Sequence, residues 1–332
     1  MNITDLKNIS LKNRMPELLC EHPGMISNAE RSLLFNLAKH YFQNQGTIID
    51  AGAFLGASTV CFAQGLKEAN ITNIKHKAIW SFEKGIVRNN FQRFVEAFDL
   101  QPHFIGDSFT ETFLALTANY VDYYKIHFSD ILDYTHPIEN NVEIAFLDIL
   151  KTEKVCRHCI EQFFPALLEG AYVIQQDYFF DQLPFIKYTQ EAFSEFFSYE
   201  GQVNSSALFK LNRPITKENV VNVLDSLSPS DAMDLHIQAE KRTNNNERAY
   251  FMQLSRAWLL ADIGKLSEAK KHYRKVKEHF FKENSYSEEN LRKDFSHRHN
   301  LLESYFLFME SWTSAPSLFG DSSWEAFIYA ND

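Results

Sequence analysis

The sequence lacks several features that would direct a first reading. No apolar run approaches the length of a bilayer span. The opening MNITDLKNISLKNRMPE has no apolar core of a secretory signal. Cysteine is scarce: four residues without framework spacing, the usage expected of a reducing cytoplasm. Basic residues are outnumbered, 33 Lys plus Arg against 43 Asp plus Glu, for a formal charge of -10. That balance excludes a general nucleic-acid binder, which needs a basic face, and no run of like charge is long enough to form a tail. There is no G-x-x-x-x-G-K-[ST] loop and no G-x-S-x-G elbow, which removes the P-loop and the α/β-hydrolase nucleophile. The expectation is a cytoplasmic chain with neither nucleic acid nor membrane as partner.

What is present is an aromatic-rich chain of 332 residues, 45% hydrophobic, with 30 Phe and 14 Tyr. The length favours two domains over one. The organising stretch is Thr47 to Leu66, TIIDAGAFLGASTVCFAQGL. A β-branched run ends on Asp50, a turn follows with Gly52 and Gly56, and Ser58 stands where a helix N-cap should stand, followed by Thr59. Strand, glycine turn and helix N-terminus together make a ligand site at a strand C-terminus. Gly52 and Ala53 offer close backbone approach. The spacing departs from the dinucleotide pattern G-x-G-x-x-G, and an acid before the first glycine would repel a pyrophosphate. It suits a cationic ligand carrying an amino group and hydroxyls.

Around this stretch the chain alternates. Residues 1–45 read as a helical cap, broken by Pro16, Pro23 and Gly24, with a capping box at Ser27 and Glu30. Ala78 to Phe82 reads as a second strand closed by Glu83, the position of a ribose-hydroxyl acceptor in Rossmann-like sites. Asn89 to Phe98 reads as a helix, and Ser108 with Glu111 caps another. Lys125 to Phe128 is a short strand leading to Ser129 and Asp130, and Val142 to Leu147 is a strand ending on Asp148. Lys151 to Leu168 reads as a long helix with Gly170 at C′, then a strand from Ala171 to Gln176 that ends on Asp177. Leu183 to Phe197 reads as helix and Ala207 to Leu211 as a final strand. The fold class expected is α/β, a Rossmann-like doubly wound and mainly parallel sheet over residues 46–213. Residues 214–332 read as all-α, with Ser228-Pro229 opening one helix. Two more helices around Gly264 form one tetratricopeptide-like hairpin, a surface suited to a homo-oligomer or another partner.

The Asp50-x-Gly52-x-x-x-Gly56 stretch resembles motif I of class I S-adenosylmethionine (SAM) methyltransferases. A second resemblance covers Lys125 to Phe180, which is similar to the macrocin and mycinamicin type of sugar O-methyltransferase. That family carries Asp-Gly-Asp after one strand, then a helix, Gly-Gly, and a strand ending in Asp-Asp-Tyr. The corresponding residues here are Asp148-Ile149-Leu150, Glu169-Gly170 and Gln176-Asp177-Tyr178, so two acids are lost. In the family those acids hold magnesium. The resemblance therefore implies a metal site on Asp148 and Asp177 that is weak or absent.

It also implies the cofactor site. SAM would have its amino group near Asp50, its ribose on Glu83 and its adenine beside Ser129 and Asp130, with Gly52, Ala53, Gly56, Ser58, Thr59 and Asp148 completing the pocket. Asp148 and Asp177, with Lys151 facing the transfer site, are the candidates for acting on a small-molecule acceptor. The function implied is O-methylation of a sugar or natural-product hydroxyl, ahead of N-methylation. The alternative is a SAM-binding but catalytically retired fold that serves as a protein-interaction module through its helical C-terminal region.

Two further groupings read as structural. Cys156-x-x-Cys159 falls at i and i+3 in a helix with no second pair, so packed, reduced cysteines are expected. His297-x-His299 lies in a charged stretch and reads as solvated.

Overall fold

In a computed structural model, the structure describes residues 15–71, 77–88, 104–135, 141–283 and 288–312, with isolated positions between 91 and 100 and at 318, 326 and 327. Most of the helix expected over Asn89 to Phe98 lies outside the described residues. Contacts divide the chain into two units. The first comprises residues 1–149, 158–176 and 196–220; the second comprises 150–157, 177–195 and 221–332.

The first unit is built on a seven-stranded sheet in the order β3-β2-β1-β4-β5-β7-β6. The strands are β1 (Thr47–Ala51), β2 (Ile79–Glu83), β3 (Tyr124–Phe128), β4 (Val142–Leu147), β5 (Leu167–Gln175), β6 (Phe197–Val203) and β7 (Ser206–Leu211). β1 to β5 are mutually parallel, and β7 runs antiparallel between β5 and β6. The order reverses at β1, so the crevice beyond the C-terminal ends of β1 and β4 is the topological switch point. Every residue of β1 and of β4 is buried, as strands covered on both faces must be.

One face of the sheet carries α2 (Asn28–His40) and α3 (Ala57–Glu68), which pack on each other over Ile48, Ile79, Ile144, Phe146 and Ile174. The approach of the two helices depends on Gly65, where a Cβ would stand 2.4 Å from the Phe35 carbonyl. The capping box at the start of α2 forms as expected, with Ser27 accepting from the Glu30 amide and Glu30 reaching back to Ser27. Glu30 also accepts from the Ser205 and Ser206 hydroxyls at 3.1 and 2.7 Å, which pins α2 to the β6–β7 turn.

Four expectations are corrected here. The long helix from Lys151 ends early: α5 spans Glu153–Phe163, a 3-10 turn with Pro165 follows, and β5 begins at Leu167. Gly170 therefore sits inside β5, at φ 87, where the β4–β5 register shifts. The helix expected to Phe197 stops at Ala192 (α6, Pro184–Ala192), and β6, which the pattern did not suggest, takes over at Phe197. Ser108 does not form the expected box with Glu111: the N-cap of α4 (Thr110–Leu116) is Phe109, and Ser108, one residue earlier, accepts from the Thr110 amide at 3.2 Å.

The second unit is helical among its described residues. α8 (Pro229–Glu240) packs on α6, and its capping box joins Ser228 and Asp231 with Pro229 in the first turn. α9 (Asn246–Asp262) and α10 (Leu266–Glu283) form the expected hairpin about Gly264, whose φ is 81. Trp258 packs on Tyr305 of α11 (Glu288–Ser311), both buried, with ring centroids 4.3 Å apart and the planes tilted by 37°. Among the described residues no helix is long and apolar enough to cross a membrane.

Candidate functional site

The end of β1 delivers Asp50 in the strand interior, wholly buried. Its Oδ2 accepts from Thr59 Oγ1 at 2.5 Å and Ser81 Oγ at 3.2 Å, while its Oδ1 has no hydrogen-bond partner among the described residues. Burial pushes this carboxyl up to about 6; the Thr59, Ser58 and Ser81 hydroxyls pull it down, and the nearby Glu83 charge adds to the rise. A buried carboxylate with one oxygen unsatisfied is costly by itself and is relieved by a cation.

The turn after β1 is held by the end of β2. The amides of Gly52 and Ala53 both donate to the Phe82 carbonyl, at 2.9 and 3.2 Å. The amide of Phe54, itself at φ 46, donates to Glu83 Oε2 at 2.8 Å, and Gly85 donates to Oε1 at 3.1 Å. Each Glu83 oxygen keeps a lone pair for a further donor. Gly52 sits at φ 97, and a Cβ there would lie 2.8 Å from the Asp148 carbonyl carbon. The glycine thus lets the end of β4 close on this turn, where the Asp148 amide donates to Ala51 at 2.8 Å.

Ser58 is not the N-cap of α3. Gly56 takes that place in a left-handed conformation with no side-chain bond, and a Cβ on it would stand 2.4 Å from Thr117 Cγ2. Ser58 and Thr59 are instead buried in the first turn. From the cap region, a His22 ring nitrogen bonds the Leu55 carbonyl at 2.9 Å.

Ser129, exposed, and Asp130 follow β3, with the Ser129 amide on the Glu83 carbonyl at 3.1 Å. Asp130 caps a 3-10 turn through the Leu132 amide and pairs with Lys84 at 2.9 Å. Burial works to raise its carboxyl, but the Lys84 and Leu132 bonds hold it below the usual carboxylate range. The structure thus gathers Asp50, Gly52, Ala53, Glu83, Ser129, Asp130 and Asp148 at the C-terminal ends of β1 to β4, all within the first unit.

Asp177 belongs to the second unit, at φ 61, and pairs with Lys151 at 2.6 Å. Lys187, which the sequence did not single out, is completely buried in α6 and donates to the carbonyls of Asp177, Gln182 and Leu183. Burial lowers its pKa to about 7. Among the described residues no group of three or more His, Cys, Asp or Glu side chains could hold a metal ion.

Two polar clusters in the second unit are sealed. His236 bonds Ser255 Oγ at 3.1 Å and Glu240 at 3.2 Å, the order of a hydrolytic triad. Both Ser255 and His236 are fully buried, and their bond joins α8 to α9. His299, expected in solvent, is also buried, between the hydroxyls of Tyr250 and Tyr273 at 2.9 Å each. Cys156 and Cys159 are both packed in the interior, as expected.

Residues 49–178 match a family described as Methyltransferase domain. Over this segment the chain is similar to methyltransferase domains. The segment begins in β1 and runs just past the end of β5, so it contains the whole strand-end site of the first unit. The sheet, with its five parallel strands and flanking helices, is Rossmann-like and doubly wound. Among solved structures, the O-methyltransferase NovP is similar at 13% identity and TM-score 0.45, over 57% of this chain and 83% of its own. Coclaurine N-methyltransferase, bound to N-methylheliamine and SAH, is similar at 12% identity and TM-score 0.29, over 76% of this chain and 77% of its own. At such scores neither likeness speaks to the acceptor. Curated proteins yield no match.

Proposed function

We propose that the protein is a SAM-dependent O-methyltransferase acting on a small-molecule hydroxyl of the sugar or natural-product type. One observation carries the reading: within the segment that matches a methyltransferase domain, the first strand presents a buried carboxylate whose Oδ1 has no hydrogen-bond partner among the described residues. The ammonium of the SAM methionine moiety fits that oxygen by charge and by donor count. Glu83, with a lone pair left on each oxygen, suits the ribose hydroxyls, and Ser129 and Asp130 stand on the adenine side. When bound, SAM supplies an electrophilic methyl group on a sulfonium. The protein contributes orientation and exclusion of water, which set the rate of an in-line displacement. Asp148, directly after β4, is assigned to take the proton of the acceptor hydroxyl.

Asp177 receives an acceptor-side role from the resemblance alone, with Lys151 as its partner. The residues present do not fit a magnesium site: Leu150 and Gln176 replace two acids, and among the described residues no acidic cluster takes their place. No step is therefore routed through a metal.

Calorimetry with SAM and S-adenosylhomocysteine (SAH), paired with methyl-transfer assays over a hydroxyl and amine panel, tests the reading. Asp148→Asn and Asp177→Asn are expected to spare SAH affinity and abolish turnover, and EDTA to change nothing. Turnover lost in EDTA would restore the metal. SAH binding without turnover on any acceptor would favour the retired fold that acts as an interaction module.

A further inference from the structure

Gln176 directly follows β5, and its backbone N–H donates to the Leu147 carbonyl at 3.2 Å, so the residue stands beside the end of β4 and Asp148. It is 8% exposed. Its Nε2 faces Ser205 Oγ at 3.5 Å. The hydroxyl of Ser205 has one proton, and that proton goes to Glu30 Oε1 at 3.1 Å. Glu30, as a carboxylate, only accepts. Ser205 must therefore accept from Gln176, which fixes the side chain with its NH2 toward Ser205; a flipped amide would set two oxygens against each other. Glu30 is itself locked by Ser206 at 2.7 Å and by the Ser27 hydroxyl at 2.7 Å, so the orientation is imposed from α2 and the β6–β7 turn.

The consequence is at the other end of the amide. Oε1 of Gln176 is buried and has no hydrogen-bond partner among the described residues. A buried carbonyl oxygen left unsatisfied is unfavourable and calls for a donor. We infer that Gln176 Oε1 binds a hydrogen-bond donor, a neutral hydroxyl, on the methyl acceptor beside Asp148, and so selects the acceptor. This inference rests on the methyltransferase reading above. The chemistry separates it from a metal ligand: the amide keeps the acceptor lone pairs and drops the charge, which suits a neutral hydroxyl rather than a hard cation or an ammonium. The relay Glu30–Ser205–Gln176 is then a positioning device for one oxygen atom.

The experiment uses the full chain in four forms: wild type, Gln176→Leu, Gln176→Glu and Ser205→Ala. SAH binding by calorimetry reports an intact cofactor site. Turnover of SAM is then followed over neutral glycosides and phenols and over matched amino sugars. Wild type is expected to prefer a neutral hydroxyl acceptor. Gln176→Leu is expected to raise KM for it about tenfold, with kcat and SAH affinity within a factor of two. Gln176→Glu should shift preference toward the amino sugars. Ser205→Ala keeps the amide but frees its orientation, and should give a smaller loss in the same direction, which covers the case in which Gln176→Leu fails to fold. Equal turnover by wild type and Gln176→Leu would overturn the inference. So would SAH binding with no acceptor turned over by any form. Absence of SAH binding in wild type would instead overturn the methyltransferase reading.

Discussion

Replacing Asp50 by Asn separates stability from binding. The carboxyl is wholly buried and shifted from 3.8 to about 6. Because the folded value lies above the unfolded one, the charge costs nothing below pH 3.8. The cost grows between 3.8 and about 6, and is complete above that. At 1.36 kcal/mol per unit, the shift amounts to about 3 kcal/mol against the unliganded fold at pH 7.5.

Asn keeps an oxygen for Thr59 and Ser81 but places an unpaired NH2 where Oδ1 was, which returns about 1–2 kcal/mol. Asp50→Asn should therefore be more stable than wild type by roughly 1–2 kcal/mol, a rise of about 2–6 °C in melting temperature. The same change removes the charged partner of the ligand ammonium and should weaken SAH binding by about 10- to 100-fold. Thermal melts at pH 7.5 and pH 4, with and without SAH, read both effects. The gain should vanish at pH 4. A variant that melts below wild type at pH 7.5, gains equally at pH 4, or binds SAH as wild type does would refute the reasoning.

Gly52→Ala should lose about 2–4 kcal/mol, because strain at φ 97 adds to a Cβ pressed on the Asp148 backbone. Gly170→Ala, at φ 87 with nothing within 4 Å, should lose only about 1 kcal/mol, and denaturation of the pair isolates the clash. His299 is held neutral by burial, its pKa lowered to about 4 from 6.5. Its contribution should be complete above pH 6.5 and fall away, by about 2–3 kcal/mol, as pH drops to 4. His299→Gln should flatten the pH dependence of the melt across that window, and an unchanged slope would contradict it.

Much of the sheet was legible because its central strands announce themselves. Val142 to Leu147 reads as a strand with its true bounds, since VEIAFL is apolar on both faces, and Thr47 to Ile49 is β-branched. Strand β6 was not legible. FSYEGQV has one buried residue and a register shift near Gly201, so its place depends on pairing with β7. Gly170 read as a helix stop because Leu167 and Leu168 continue the helical apolar spacing of α5. At the site, acids that end strands could be read from position, as Asp50 and Glu83 were. Their partners could not: Thr59, Ser81 and Phe54 meet them only through the fold. His299 misled for the same reason, since its sequence neighbours are charged while its partners, Tyr250 and Tyr273, come from α9 and α10.

Glu143 has a consequence for synthesis of the chain. Its carboxylate takes the amides of Gln43, Gln45 and Gly46, at 2.5, 2.6 and 2.7 Å, from residues about 100 positions earlier. The same strand, β4, flanks β1 on one side. A ribosome adding roughly 5–20 residues per second needs about 5–20 s to supply it. Throughout that interval Thr47 to Ala51, buried on every residue in the finished fold, has one edge unpaired and its apolar faces only partly covered. Nascent chains stalled before Val142 should therefore be retained by holdase chaperones, and chains stalled well past Leu147 should be released.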